Sequence, residues 1–147
     1  MQWKPNTTVA AVIEVNNTFL MVEEETADGI RINQPAGHLE NNETLVQAVI
    51  RETKEETAYD FIPESILGIY QWKNESKGIT YLRYAFIGKT ISHNPSLKLD
   101  HGIIRAVWMS LDEIRSKSGI HRSPQVMNCI DDYLAGKLYP LELISYL

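Results

Sequence analysis

Apolar residues follow one another almost without a break from Thr7 to Val15, and most are Val, Ile or Thr. Such a run predicts a buried strand. Asn16-Asn17 reads as a turn, and Thr18 to Glu24 returns as a second strand, so the two form a hairpin. Thr26 to Gly29 is another turn, Ile30 to Asn33 a short strand, and Gln34-Pro35-Ala36-Gly37 a loop that leads to a helix. Farther along, Ser65 to Trp72, Ile79 to Ile87 and Ile103 to Met109 read as strands, with Lys73 to Gly78 a polar turn between the first two. The polar segment Ser92 to Gly102 is too long for a mere connector, which makes it a candidate functional loop. Ser110 to Glu113 opens a short helix. Ser123-Pro124 supplies a cap with Pro in the first turn of another helix, which runs to about Leu134 until Gly136 stops it. The tail to Leu147 is apolar enough to pack on the domain.

Between Asn42 and Ala58 the period changes. No Gly or Pro interrupts the run, Asn42 is a suitable N-cap, and Leu45, Ala48 and Val49 fall on one face at about 100° per residue. An amphipathic helix follows from this spacing. Carried forward, the apolar stripe meets Glu52, Glu55 and Glu56. Carboxylates on the core side, near the negative end of a helix dipole, oppose both burial and dipole energetics. A cation must compensate. Arg51 and Lys54 serve in part, and hard divalent ions prefer clustered oxygens. Glutamates on helices more often form a solvated acidic face, but these continue the apolar stripe instead of opposing it.

Strands on either side of this helix, then a terminal helix, predict an α/β fold with a mixed sheet covered on both faces. At 147 residues the chain fits one domain, 1–147. Apolar and charged contents of 44% and 22% are ordinary for a globular protein. A net charge of −5 and a pI near 5.3 argue against tight binding to long nucleic acids. A phosphate ester meeting so acidic a chain would need a metal between the two. The lone Cys129 has no internal disulfide partner and reads as a small buried residue on a helix, which suits a reducing compartment. Met1 to Val15 lacks the apolar core and cleavage site of a signal peptide, and no run approaches the ~20 apolar residues of a membrane span. A cytoplasmic location is expected.

Gly37, Glu43, Arg51, Glu52, Glu55 and Glu56 also keep a fixed spacing. It resembles the Nudix box, Gly-x5-Glu-x7-Arg-Glu-U-x-Glu-Glu-x-Gly-U, where U is bulky and apolar. Every charged position matches. Thr53 stands where an apolar residue is usual and Ala58 where glycine is usual. The Thr53 methyl can pack while its hydroxyl bonds back to the preceding turn. Alanine in the left-handed conformation of a helix terminus costs about 1 kcal/mol, so Ala58 is expected to let the helix run slightly longer, until Asp60 and Pro63 end it.

The resemblance implies a Nudix-type α/β/α sandwich and a hydrolase of phosphoanhydrides that uses Mg²⁺, with Mn²⁺ as a possible substitute. It assigns the metal to Glu52, Glu55 and Glu56, with Gly37 joining through its carbonyl. Glu52 and Glu56 lie one helical turn apart and can share an ion; Glu55 can hold a second or accept the proton of the attacking water. Arg51 stays protonated at any relevant pH and is expected to orient the carboxylates, with Glu43 as partner. Family members commonly draw one more ligand or base from the loop before a late strand, which here points to Asp100 or His101. His38 reads as a supporting residue.

Other positions stand out on their own chemistry. Arg83 lies mid-strand, where a charge is costly unless it meets a phosphate or a carboxylate. Arg122 precedes a helix N-terminus and could help to form an anion-binding corner. Trp72 could stack on a pyrimidine ring, although plain core packing is the commoner fate. Over nearly the whole chain, short segments such as Asn33 to Glu40, Gln71-Trp72, Leu82-Arg83-Tyr84, Arg122-Ser123-Pro124 and Tyr139 to Glu142 resemble one branch, the NudJ-type phosphatases. That branch implies release of orthophosphate from nucleoside tri- and diphosphates, thiamine diphosphate and hydroxymethylpyrimidine diphosphate. A monomer or homodimer is expected. One rival is a pyrophosphohydrolase with the same metal site. Another is a nucleotide sensor that does not cleave, although sensors typically lose box glutamates and this chain keeps them.

Overall fold

The computed structural model describes residues 2–147, and its strands gather into two sheets. In the first, strand β1 (Asn6–Val12) pairs in parallel with β7 (Ile79–His93) and antiparallel with β5 (Ala36–His38). β6 (Tyr59–Asn74) and β9 (Tyr139–Pro140) extend that sheet beyond β7, so it is mixed. In the second, β3 (Thr18–Thr26) pairs with β8 (Ile103–Ser110) and also with β2 (Glu14–Val15) and then β4 (Gly29–Asn33).

Helices cover both faces. The side chains of Val9, Ala11 and Ile13 join Phe86, Ile66 and Leu20 against Ala48 and Val49 of helix α1 (Leu45–Thr57). Val12, Ala85, Leu67 and Met21 point the other way, onto Ile114 of α2 (Leu111–Ser116) and Val126, Cys129 and Ile130 of α3 (Gln125–Leu134). Alternation along β1 therefore feeds two separate cores, which is why the run reads as continuously apolar. The expected α/β/α architecture is present. Among the described residues, no helix is long and apolar enough to cross a membrane.

Several boundaries differ from expectation for physical reasons. The run from Thr7 to Val15 is not one arm of a hairpin: it breaks at Ile13, and only β2 turns back onto β3. Asn16 and Asn17 make that turn with φ of 50° and 62°, values that asparagine tolerates better than most residues. Ala36–His38 is an edge strand rather than loop. Helix α1 is capped by Thr44, not Asn42: Thr44 Oγ1 accepts the Gln47 N–H while Gln47 Oε1 accepts the Thr44 N–H, and Asn42 sits at φ 63° before the cap. Ala58 does not prolong the helix. It takes the left-handed conformation itself (φ 63°, ψ 13°), and β6 begins at the next residue. β6 and β7 are longer than predicted, and Pro63 is accommodated beside a register shift in β6. Ser92 and His93 therefore belong to β7, and the polar loop is residues 94–102.

Thr53 does bond back, its hydroxyl donating to the Val49 carbonyl at 2.8 Å. The α3 start is as expected: Ser123 Oγ accepts the Gln125 N–H at 3.1 Å and Pro124 already has helical dihedrals. The tail packs only in part. Leu141 and Ile144 rest on the α1-side core, while Leu138, Leu143, Tyr146 and Leu147 are exposed.

Candidate active site

Helix α1 presents its C-terminal half to a cavity of about 460 Å³. Ala48, Val49, Glu52, Thr53 and Glu56 form its buried stripe, so Glu52 and Glu56 are carried inward by the apolar anchors one and two turns before them. Glu55 is not part of that buried stripe. It lies on the flank that also carries Arg51, with its side chain 38% exposed. Edge strand β5 crosses in front of the helix, and Gly37 leaves room for the Glu52 carboxyl: a Cβ there would fall 2.1 Å from Glu52 Cδ.

Arg51 ties the acidic groups together. Its Nε and Nη2 donate side-on to Glu43 Oε2 and Oε1 at 2.9 and 2.7 Å, and Nη1 donates to Glu52 Oε1 at 2.8 Å and Glu55 Oε2 at 3.2 Å. Nη2 also donates to the His38 carbonyl at 3.0 Å. The paired hydrogen bonds from Arg51 hold the Glu43 carboxyl below its usual range.

The two inner carboxyls go the other way. Burial pushes Glu52 up to about 7, against the opposing pull of Arg51, with Glu55 and Asp100 adding repulsion. Burial pushes Glu56 up to about 9, although the Ala36 N–H donates to its Oε1 at 2.9 Å. Glu52, Glu24 and Asp100 repel it further. Glu52 shares the single Arg51 guanidinium with Glu43 and Glu55, and no cation pairs with Glu56 among the described residues, so the two carboxyls together are underneutralised. Among the described residues, no three Asp, Glu, His or Cys side chains are gathered so as to hold a metal ion unaided. Mg²⁺ ordinarily takes one or two carboxylates and completes its octahedron with water and substrate phosphate, so two underneutralised glutamates fit that ion.

Asp100 also lines the cavity, and its N–H donates to the Glu55 carbonyl at 2.9 Å, which docks the loop on the end of α1. His101 is exposed and is not among the lining residues. Cationic side chains reach the same cavity. Arg83 and Arg122 line it, the latter paired with Glu24 at 2.5 Å. Trp72 is at the cavity too, half-buried and stacked on Tyr81 with ring centroids 5.7 Å apart and planes 17° from parallel. Gly37, Glu52, Glu56, Asp100, Arg83, Arg122 and Trp72 thus converge on one space, while Arg51 and Glu55 stand behind its acidic wall.

Asn33, Gln34, Tyr81 and Gln125 escaped the sequence reading. Asn33 Oδ1 and Gln34 Oε1 each accept a bond from Arg83 at 2.9 Å, across about fifty residues of chain. Only the meeting of residues from β4, β7 and α3 at one cavity exposes their role.

The NUDIX domain profile matches residues 4–128. Phosphatase NudJ of Escherichia coli (strain K12) is 39% identical over 143 residues, which cover 97% of this chain and 92% of that protein. A NUDIX hydrolase structure from Nitrosomonas europaea superposes with a TM-score of 0.96 at 54% identity, covering 98% of each chain. A MutT NUDIX hydrolase structure from Burkholderia pseudomallei shares the fold at 16% identity, with a TM-score of 0.76 over 88% of this chain and 98% of its own. Nudix hydrolases generally use divalent metals, as the donor set on α1 suits. The chain belongs to the Nudix hydrolase family and is an enzyme that acts on phosphoanhydrides.

Proposed function

We propose that this enzyme removes the terminal phosphoryl group from nucleoside tri- and diphosphates and from thiamine-pathway diphosphates, namely hydroxymethylpyrimidine diphosphate and thiamine diphosphate. The product is orthophosphate, and the reaction depends on Mg²⁺ or, in its place, Mn²⁺. One juxtaposition carries the reading: two buried, underneutralised carboxyls, Glu52 and Glu56, and a buried guanidinium without an acidic partner, Arg83, line the same cavity. The resemblance to a protein named a phosphatase favours orthophosphate as product.

In this reading Glu52, Glu56 and the Gly37 backbone would hold the ion, and Glu55 would join them from the flank of α1. When bound, the ion neutralises phosphate charge and makes the phosphorus easier to attack. Glu55 or Asp100 accepts the proton of the attacking water. Arg51 stays charged and keeps Glu52 and Glu55 in place. Arg83 and Arg122 hold phosphate oxygens, and Trp72 offers a ring face to the organic group. His101 is given no part. Residues 1–147 act as one domain on small molecules in the cytoplasm, as a monomer or homodimer, and the net charge of −5 disfavours long nucleic acids as partners.

Hydrolysis of a nucleoside triphosphate in ¹⁸O-labelled water tests the bond that breaks. Attack at the terminal phosphorus places the label in orthophosphate. Label in pyrophosphate or in the nucleoside monophosphate contradicts the proposal and favours a pyrophosphohydrolase.

A further inference from the structure

Arg83 is only 3% exposed, and no acidic side chain pairs with it among the described residues. Nη1 donates to Gln34 Oε1 at 2.9 Å and to Cys129 Sγ at 3.6 Å, and Nη2 donates to Asn33 Oδ1 at 2.9 Å. All three acceptors are neutral. The third nitrogen, Nε, is buried with no partner. Gln34 is fixed in turn by donating from Nε2 to the Val126 carbonyl at 2.9 Å, so α3 braces the group that aims the guanidinium.

Gln125 stands at the start of the same helix. It is 5% exposed, it lines the cavity, and its side-chain Nε2 is buried without a partner. The N-terminal end of α3 adds partial positive charge here, with Ser123 and Gln125 both at the cavity wall. Buried donors are rarely left unpaired, and a buried guanidinium without a counter-anion is costly. The complement is a group rich in acceptor oxygens that carries negative charge. A planar guanidinium and an amide donor lining one cavity suit phosphate in particular.

We propose that Arg83 and Gln125 form a phosphate subsite, which takes the phosphoryl group next to the one being removed, while Asn33 and Gln34 position the guanidinium. The inference rests on the phosphoanhydride reading of this cavity and deepens it. A monophosphate lacks the second phosphoryl group and forfeits this contact, so the subsite favours di- and triphosphates over monophosphates.

Calorimetric titration of inorganic pyrophosphate into the full chain in EDTA, at constant ionic strength, tests the subsite without metal or turnover. Wild type should bind saturably, and Gln125→Ala should bind at least threefold more weakly. Asn33→Asp places a carboxylate at the Arg83 fork and supplies the missing anion from within. It should raise the melting temperature of the ligand-free protein and weaken pyrophosphate binding at least ~10-fold, a difference of about 1.4 kcal/mol. A purely structural Arg83 would show the gain in melting temperature with binding unchanged. Affinities within twofold of wild type in both variants overturn the proposal, as does absence of saturable binding by wild type up to about 10 mM, the range in which a single weak ion contact operates. Intact binding with no hydrolysis in Mg²⁺ would sink the reaction and leave the subsite standing.

Discussion

Gly37 and Glu52 are packed so closely that a Cβ on the glycine would lie 2.1 Å from the carboxyl carbon of the glutamate and 2.3 Å from each of its oxygens. Gly37 has no positive φ to justify it, so space and not backbone freedom demands glycine here. The requirement links edge strand β5 to helix α1 at the point where the acidic wall begins.

Gly37→Ala should therefore push the Glu52 carboxyl aside while the edge strand keeps its pairing. Displacement of a reacting group by ~1 Å can cost ~100-fold in rate, and a loss of that order in kcat is expected with little change in melting temperature. Wild-type turnover in this variant would show that the position of Glu52 does not matter.

The Arg51–Glu43 pair anchors the other side of the trio through two hydrogen bonds, at 2.9 and 2.7 Å. Both side chains are largely covered, so the pair escapes most of the solvent screening that weakens surface ion pairs. A double-mutant cycle with Arg51→Gln and Glu43→Gln should give a coupling energy of about 1–3 kcal/mol in urea unfolding. Arg51→Lys should not restore it, because a lysine cannot make the side-on contact. A coupling near zero would reduce Arg51 to a solvated charge.

Much of this was legible in the chain. The spacing from Gly37 to Glu56 located the acidic wall because one helix carries most of it, and local periodicity suffices for that. Boundaries set by tertiary partners were not legible. The break at Ile13 depends on which sheet each half of the run joins. Thr44 displaces Asn42 as cap because Gln47 completes a reciprocal box, whereas Asn42 is needed earlier in a left-handed turn. Glu55 left the buried stripe because the apolar anchors pull the helix toward Glu52, Thr53 and Glu56. Gln125 carries no local signature, and Asn33 is marked only as the first residue of a segment that resembles the NudJ-type branch, since the guanidinium that gives them meaning arrives from another strand.

Ala58 shows how opposing effects can hide a departure from the family pattern. Its left-handed backbone costs about 1 kcal/mol, yet its methyl is buried, worth about 0.8 kcal/mol, and alanine restricts the unfolded chain more than glycine does. Ala58→Gly should thus change stability by less than about 1 kcal/mol, whereas the β-branched Ala58→Val should destabilise by at least ~2 kcal/mol. A large gain from glycine in thermal unfolding would mean that the buried methyl contributes nothing.

Burial raises Glu52 to about 7 and Glu56 to about 9 from an ordinary 4.5. Between those values the folded metal-free chain holds protons that the unfolded chain has released, so stability falls as pH rises. The contribution is complete below 4.5 and is lost as pH climbs through 7 and then 9. In EDTA the melting temperature should decline from pH 5 to pH 9, and Glu56→Gln should flatten that decline. Parallel curves for the variant and wild type would mean that Glu56 is not the group that titrates.

The central claim is that Glu52 and Glu56 hold the divalent ion on which hydrolysis depends. Its most direct measurement is orthophosphate release from a nucleoside triphosphate as Mg²⁺ is titrated, in wild type, Glu52→Gln and Glu56→Gln, with melting curves recorded at the same metal concentrations. Wild type should gain both turnover and melting temperature with Mg²⁺, because the ion binds the folded cluster and not the unfolded chain. Each variant should stay folded, lose at least ~100-fold in turnover at saturating Mg²⁺ and show a smaller metal-induced rise in melting temperature. Near-normal turnover in both variants, or identical wild-type melting in EDTA and in excess Mg²⁺, would contradict it.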